Sequence, residues 1–336
     1  MRIIRKRAYA RAGLLGNPSD GYNGKTISVS VKDFWSEVTM YDWHTLEILP
    51  SQYDHGRFRS IYDLADDVSS HGYYGGIRLI KATIKRFVDY CNAQDIQLHS
   101  QNFSVRYESH IPRQVGLAGS SSIITAMLRS LMAFYEVDMP LEIQPSFVLS
   151  VESDELGISA GLQDRVIQAY EGMVYMDFDE SQAQIMNGIK HYHYERLQWA
   201  PDLPLYIAYH TQLGEPTEIF HNDIRGRFNR GEQEVVDAMQ QFAQFAEDGR
   251  DAILANDMPH LAELIDTNFD TRQRIAKLPK WQVDMIETAR ACGASAKFAG
   301  SGGAIVGTYA DKAMLQNLSE KLSAIGSRVV AIHPTD

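Results

Sequence analysis

"IPRQVGLAGSSSIITAMLRSLMAFY", residues 111–135, decides the reading of this chain. A proline, two glycines and three serines run directly into an apolar stripe, Ile124, Leu128, Leu131 and Tyr135, spaced as one face of a helix. Gly116 and Gly119 let the backbone turn tightly and approach a ligand without a Cβ in the way. Ser120, Ser121 and Ser122 fall where the helix begins, beside amide groups that have no partner within the helix. Such an end attracts phosphate through directed N–H groups and the positive end of the helix dipole. A serine that merely caps the helix is the plain alternative. One cap needs one serine and no preceding glycines. The stretch is not a Walker loop, because no GK[ST] follows. On its own it leaves the phosphate loop and the cap evenly balanced.

Outward from this stretch the first half reads as strands with helices between them. Ile27, Val29 and Val31 alternate with polar residues, as do Phe103, Val105 and Tyr107, which is the period of a half-buried strand. Ile77, Ile80, Ile84, Phe87 and Cys91 recur at helical spacing after Gly75-Gly76. A polar stretch over 178–190 precedes a region of different texture. There "LPLYIAY" (203–209) reads as a buried strand, and Val235, Met239, Phe242 and Phe245, then Leu261, Leu264 and Ile265, read as amphipathic helices. Strands followed by helices predict an α+β fold, divided near residue 196 into domains of 1–195 and 196–336.

Composition narrows the function. The chain has 336 residues and a net charge of -11, so it is long enough for two domains and lacks the basic surface of a nucleic-acid binder. Arg2, Arg5, Lys6, Arg7 and Arg11 crowd the N-terminus. They read either as an anion site or as the solvated charges of an edge strand, with the edge strand favoured. Cys91 and Cys292 lack metal-ligand spacing and predict two free thiols in a reducing compartment. No apolar run approaches the roughly 18 residues that span a bilayer, and the basic N-terminus is followed by no apolar segment, so a cytoplasmic location is expected. His191, His193 and His210 have no metal spacing, and Trp35, Trp43 and Tyr73 read as core more readily than as an adenine frame.

Three segments in order carry a family resemblance. The central one, Pro112 to Ser122 with Gly116, Leu117, Ala118 and Gly119, resembles the second motif of the GHMP kinases, P-x-x-x-G-L-G-S-S-A, with one residue inserted. "ARAGLLGNPSDGY" (10–22) resembles the first motif and "KFAGSGGAIVG" (297–307) the third, glycine-rich one. Within that family, "YARAGLLGNPSDGYNGKTIS" and "ELGISAGLQDRVIQAYEGMVYMDF" look like the glucuronokinase branch. The resemblance implies an N-terminal mixed α+β domain, a ferredoxin-like C-terminal domain, and an active site in the cleft between them. It implies ATP and Mg²⁺ as cofactors and an anomeric sugar phosphorylation, with D-glucuronate as the expected acceptor. Another GHMP sugar kinase, acting on arabinose, a heptose or a neutral hexose, is the alternative, followed by a catalytically silent metabolite-binding relative.

The same resemblance implies roles residue by residue. ATP is expected along Gly116, Leu117, Ala118, Gly119, Ser120, Ser121 and Ser122. Counting back nine residues from Gly161 gives Glu152 as a metal ligand, shared with Ser121, although the inserted residue leaves Ser120 open for that part. Asp164, three residues after Gly161, is the expected general base or the group that orients the sugar hydroxyl. Arg11 stands where this family carries a cation able to stabilise charge on the acceptor oxygen and keep Asp164 ionised. Asn17, Asp20 and Gly302, with Arg11 and Asp164, are the expected sugar contacts. Where galactokinases carry Glu-His this chain has Asn17-Pro18, which speaks against galactose. A selective glucuronate site also needs a cation for the sugar carboxylate, and the N-terminal basic cluster and Arg165 are the candidates. The sequence leaves monomer and homodimer open, and offers no membrane or nucleic-acid partner.

Overall fold

A computed structural model describes residues 2–50, 75–200, 203–213 and 224–333. Tyr73 lies outside them. The first half is built on a long strand, β2 (Lys25–Trp43), in which Thr26–Val31 and Ser36–Met40 are buried on both faces rather than on the one face that the alternation predicts. β1 (Ile3–Leu15) pairs antiparallel along it, from Ile3 opposite Tyr41 to Leu15 opposite Ile27, with a register shift between Tyr9 and Ala10. On the other side β2 pairs with β4 (Asn102–Ser109) at one end and with β5 (Met173–Asp177) at the other. The short β3 (Glu47–Ile48) extends the β4 edge and β8 (His193–Arg196) the β5 edge. A small separate ribbon, β6 (Gln184–Met186) with β7 (Ile189–His191), lies between β5 and β8 in the chain. Helices α1 (Gly76–Ala93) and α2 (Gly119–Tyr135) press their apolar stripes on this sheet, with Phe87, Phe103, Leu128 and Phe134 in one buried cluster.

The second sheet is antiparallel and has the order β10-β11-β9-β12, from Lys297–Phe298, Ala304–Thr308, Leu205–His210 and Ser327–Ile332. In chain order that is 2-3-1-4, the arrangement of a ferredoxin-like domain. Helices α6 (Met258–Ile275), α7 (Lys280–Ala291) and α8 (Lys312–Ala324) accompany it, and Phe269, Met285, Ile286, Leu318 and Leu322 share its apolar cluster. α3 (Gln144–Ser150) and α4 (Gln163–Tyr170) pack together on the first half, and α5 (Gln233–Ala255) packs on β2 and on α6.

The two sheets share a core. Leu15 and Ile27 of the first sheet belong to one buried cluster with Ala246 of α5, Leu205 and Ile207 of β9 and Val306 of β11. α5 crosses Leu15 closely, and a Cβ added at Gly249 would stand 2.0 Å from Leu15 Cδ1. Burying side chains of this size contributes roughly 1.5–3 kcal/mol each, so the joint that forms the cleft is a packed one.

The N-terminal cations divide. β1 pairs only with β2 among the described strands, and Arg5 and Lys6 are exposed on it. Arg2 bonds Glu136, and Arg7 bonds Glu37 with its guanidinium over Trp35. Arg11 alone points into the fold and is buried. The edge-strand reading therefore describes four of the five cations. Cys91 lies buried in α1, whereas Cys292 ends α7 rather than continuing it, and both are free.

Candidate active site

The central loop enters α2 with a left-handed residue. Positive φ falls on Gln114 (57°), Gly116 (75°) and Ala118 (63°), and Gly119 is already the first helical residue. An alanine held there costs of order 1–2 kcal/mol relative to right-handed backbone, a strain of the kind that collects at ligand sites. Ala118 is the N-cap, and no side chain caps this end. Asp257 accepts from the His260 N–H of α6 and Asp311 from the Met314 N–H of α8, whereas α1, α3, α4, α5 and α7 start, like α2, without a side-chain cap. The capping role that a serine could have played is thus not taken up here. The first-turn N–H groups of α2 are left without a side-chain cap, an arrangement able to bind a phosphate.

The three serines separate. Ser120 donates its hydroxyl to Glu152 Oε1 at 2.7 Å. Ser121 is fully buried with its hydroxyl 3.4 Å from the Ala118 carbonyl. Ser122 is fully buried between the Gly119 carbonyl and the Ser36 hydroxyl, each at 2.6 Å. The hydroxyl beside the acidic residue is therefore that of Ser120. The Ser121 hydroxyl, expected beside Glu152, lies instead on the Ala118 carbonyl, because one residue of shift along a helix start turns a side chain through about 100°.

Glu152 sits on a π-helical turn, Val151–Glu155, that continues α3. π-turns of this sort are frequent at functional sites. The carboxylate is fully buried, and its Oε2 accepts from Arg165 Nε at 2.7 Å and also from Arg165 Nη2. Arg165 further donates to the Gly161 carbonyl at 2.7 Å and lies 3.4 Å from Asp164. Burial pulls its guanidinium down, but Glu152 and Asp164 outweigh that and leave its pKa raised.

Asp164, in the first turn of α4, accepts from Arg11 Nε at 2.6 Å. Arg11 Nη1 donates to the Gly116 carbonyl at 2.6 Å and the Ala299 carbonyl at 3.1 Å. One guanidinium thus joins β1, the central loop, the loop after β10 and the candidate base. The two glycine-rich loops lie directly on each other there. A Cβ at Gly300 would stand 2.3 Å from the Gly116 carbonyl oxygen and 2.8 Å from Arg11 Nη1, so no other residue fits without displacing backbone. Gly302 packs against the Gln282 side chain, where a Cβ would come within 2.6 Å. Gln168 of α4 ties the same loop down through its bond to the Ala118 carbonyl at 2.8 Å.

Asp20, on the turn Ser19–Tyr22, leans against Gly161, where a Cβ would stand 2.3 Å from its Oδ2. Burial, and then the nearby charge of Asp164, raise its pKa to about 6 against the pull of Arg11, the Gln163 N–H and Arg165. Asn17 is buried and its Oδ1 accepts from Lys297 Nζ, which also bonds the Gly13 carbonyl at 2.6 Å and the Phe298 carbonyl at 2.9 Å. Asn17 is thus bound to the protein's own lysine.

Sequence reasoning missed Lys297, whose pKa burial pushes well below the ordinary range, with Arg272 and Arg11 adding to the effect. It also missed Arg272, which grips the Gly300 and Ser301 carbonyls at 2.8 Å each and whose pKa burial pulls down to about 9. Both are buried; Lys297 opens the third motif, which could have drawn attention to it, whereas Arg272 lies within α6 and outside all three motifs.

Residues 78–172 match the GHMP kinases N terminal domain and residues 250–328 the GHMP kinases C terminal domain. The chain is 41% identical to "Glucuronokinase 1" of Arabidopsis thaliana over 90% of its own length and 84% of that protein's. The chain belongs to the GHMP kinase family. "Probable glucuronokinase 2" of the same plant is 40% identical over the same shares. Among solved structures this GHMP kinase superposes on the galactokinase of Lactococcus lactis, crystallised with galactose, at a TM-score of 0.76, covering 99% of this chain and 94% of that one at 13% identity. That likeness concerns the fold, the α+β architecture with a ferredoxin-like C-terminal domain. As a kinase of this family the chain uses ATP. Among its described residues no helix is long and apolar enough to cross a membrane.

Proposed function

We propose that the chain transfers the γ-phosphoryl group of ATP to the anomeric hydroxyl of D-glucuronate, giving D-glucuronate 1-phosphate and ADP. The observation that carries this reading is the Arg11–Asp164 pair, 2.6 Å apart at the foot of two apposed glycine loops, in a chain 41% identical to a glucuronokinase over most of both lengths.

In this reading the phosphates of ATP lie along Gly116–Ser120 and the uncapped start of α2, where N–H groups and the helix dipole meet their charge. The sugar lies against Asp20 and Asp164 with its C1 hydroxyl at the Asp164 carboxylate. Asp164 orients that hydroxyl and takes its proton as the C1 oxygen bonds the γ-phosphorus, while the bond to the β-γ bridging oxygen breaks and ADP leaves with the electron pair. Arg11 holds Asp164 in place and offsets charge developing on the acceptor oxygen. Arg165, Lys297 and Arg272 act from behind. The first fixes Glu152, the second fastens Asn17 and Gly13 to β10, and the third keeps the Gly300–Ser301 carbonyls turned away from the cleft.

The residues fit Mg²⁺. Glu152 Oε1 and Ser120 Oγ are 2.7 Å apart, close to the edge of roughly 2.9 Å between adjacent ligands in an octahedron with bonds of 2.0–2.1 Å. Among the described residues no group of three or more His, Cys, Asp and Glu side chains forms a cage, which suits an ion that takes one or two protein oxygens, phosphates and water. Ser120 and Glu152 would hold it, and it would neutralise phosphate charge. The direct test is ADP release with Mg-ATP over a panel of sugars and sugar acids. Release with glucuronate supports the proposal, and release only with a neutral hexose, or with no sugar, overturns it.

A further inference from the structure

A glucuronate site must meet the C6 carboxylate, and the anomeric carbon and the carbon bearing C6 both flank the ring oxygen. The cation therefore belongs within one sugar ring of Asp164. The candidates offered by the sequence are occupied or distant. Arg165 is buried on Glu152, Gly161 and Asp164. Arg2 and Arg7 are paired with Glu136 and Glu37. Arg11 is spent on Asp164 and two carbonyls, and Lys297 and Arg272 are enclosed on protein oxygens. Lys25, on the neighbouring strand, pairs with Glu247 and Asp177.

One further cation reaches the turn that carries Asp20. Residues 224–229 form a short helix anchored by Ile224 and Phe228, which join Tyr22, Val235, Met239 and Phe242 in an apolar cluster. Tyr22 packs on Phe228 with ring centroids 4.6 Å apart. This anchoring leaves Arg225 at the edge of the cluster, exposed, its guanidinium 4.5 Å above the Tyr22 ring. Its Nη2 comes within 2.8 Å of where a Gly21 Cβ would stand, so it lies down on the turn one residue from Asp20. Among the described residues it meets no carboxylate. Two residues on, Arg227 is paired with Glu232. A guanidinium over an aromatic face that meets no carboxylate among the described residues presents a fork for one.

We propose that Arg225, lying over the Ser19–Tyr22 turn, binds the carboxylate of the sugar acid and sets the preference for it over neutral sugars. This rests on the glucuronate reading above. The carboxylate is remote from the reacting hydroxyl, so the contact is made equally in the ground and transition states and acts mainly on KM. An exposed cation is screened, which places the effect at the lower end of the range for charged hydrogen bonds, about tenfold.

The test is steady-state kinetics at saturating Mg-ATP on glucuronate, on glucuronamide (the neutral amide of the same shape) and on glucose. Wild type is expected to favour glucuronate over glucuronamide by about tenfold or more. Arg225→Gln is expected to lower that ratio about tenfold through KM, with Arg225→Lys keeping part of it. Gly21→Ala, which displaces the guanidinium without removing it, is expected to lower the ratio by less. An unchanged ratio in Arg225→Gln overturns the subsite while leaving the substrate intact, as does a parallel loss on all three sugars, which would mark a merely structural arginine. A wild type inactive on glucuronate overturns the substrate and the subsite together.

Discussion

Replacing Asp20 by asparagine should make the protein more stable and less active, and the stability gain should depend on pH in a defined way. The Asp20 pKa is raised from 3.8 to about 6, first by burial and then by Asp164. The folded state therefore resists the charged form. At 1.36 kcal/mol per pH unit the resistance amounts to about 3 kcal/mol once the group is fully ionised. Because the folded pKa lies above the unfolded one, the native state binds more protons between them, and stability falls as pH rises from about 3.8 to about 6. The penalty is complete above that window and absent below it. Asparagine keeps an oxygen for the Gln163 N–H and carries no charge, so Asp20→Asn removes the penalty. We expect a gain of about 3 kcal/mol at pH 8, shrinking to about half that at pH 5. Urea unfolding of both proteins at the two pH values measures it, with equal m-values required for the comparison. A gain that does not change with pH, or a loss at pH 8, would refute the placement of Asp20 against Gly161 and Asp164. A fall in kcat/KM is expected to accompany the gain, because in the proposed reading the carboxylate lies against the sugar.

Asp164→Asn keeps the shape of the side chain and removes its charge, so turnover should drop by roughly 10² or more while ATP still binds. Equilibrium nucleotide binding beside steady-state rates checks this, and near-normal turnover would reduce Asp164 to a sugar contact. Ser120→Ala should raise the Mg²⁺ concentration for half-maximal rate, because its hydroxyl is the one at Glu152. Ser121→Ala should raise it less, and the reverse order would return the metal contact to Ser121.

Much of this site was legible in the sequence because its signals are local. Glycines at a turn, serines at a helix start and an acid at fixed distance from Gly161 are features of the chain within a few residues, and they survive without knowledge of packing. What the sequence withheld depends on elements far apart. The inserted residue blurred which serine meets Glu152, and only the phase of α2 against the π-helical turn separates Ser120 from Ser121. The left-handed residue before α2 is Ala118, not Gly119, a position that composition does not favour. Asn17 reads as a sugar contact in the sequence, and its bond to Lys297, 280 residues away, appears only in the fold. Lys297 and Arg272 lie inside the fold against the ordinary habit of cations, because backbone carbonyls of the loops supply the acceptors that make their burial tolerable. Within the N-terminal basic run the register of β1 buries Arg11 and leaves Arg5, Lys6 and Arg7 exposed.

The central claim is that this kinase acts on the sugar acid and does so at C1. The most direct measurement is kcat/KM for glucuronate, glucose and galacturonate at saturating Mg-ATP, with the phosphorylated carbon of the product read by NMR. Phosphate is expected on C1, with glucuronate exceeding glucose by at least about tenfold, the scale of one charged hydrogen bond, and galacturonate below glucuronate through its inverted C4 hydroxyl. Glucose matching glucuronate, or phosphate on any other carbon, would contradict the claim.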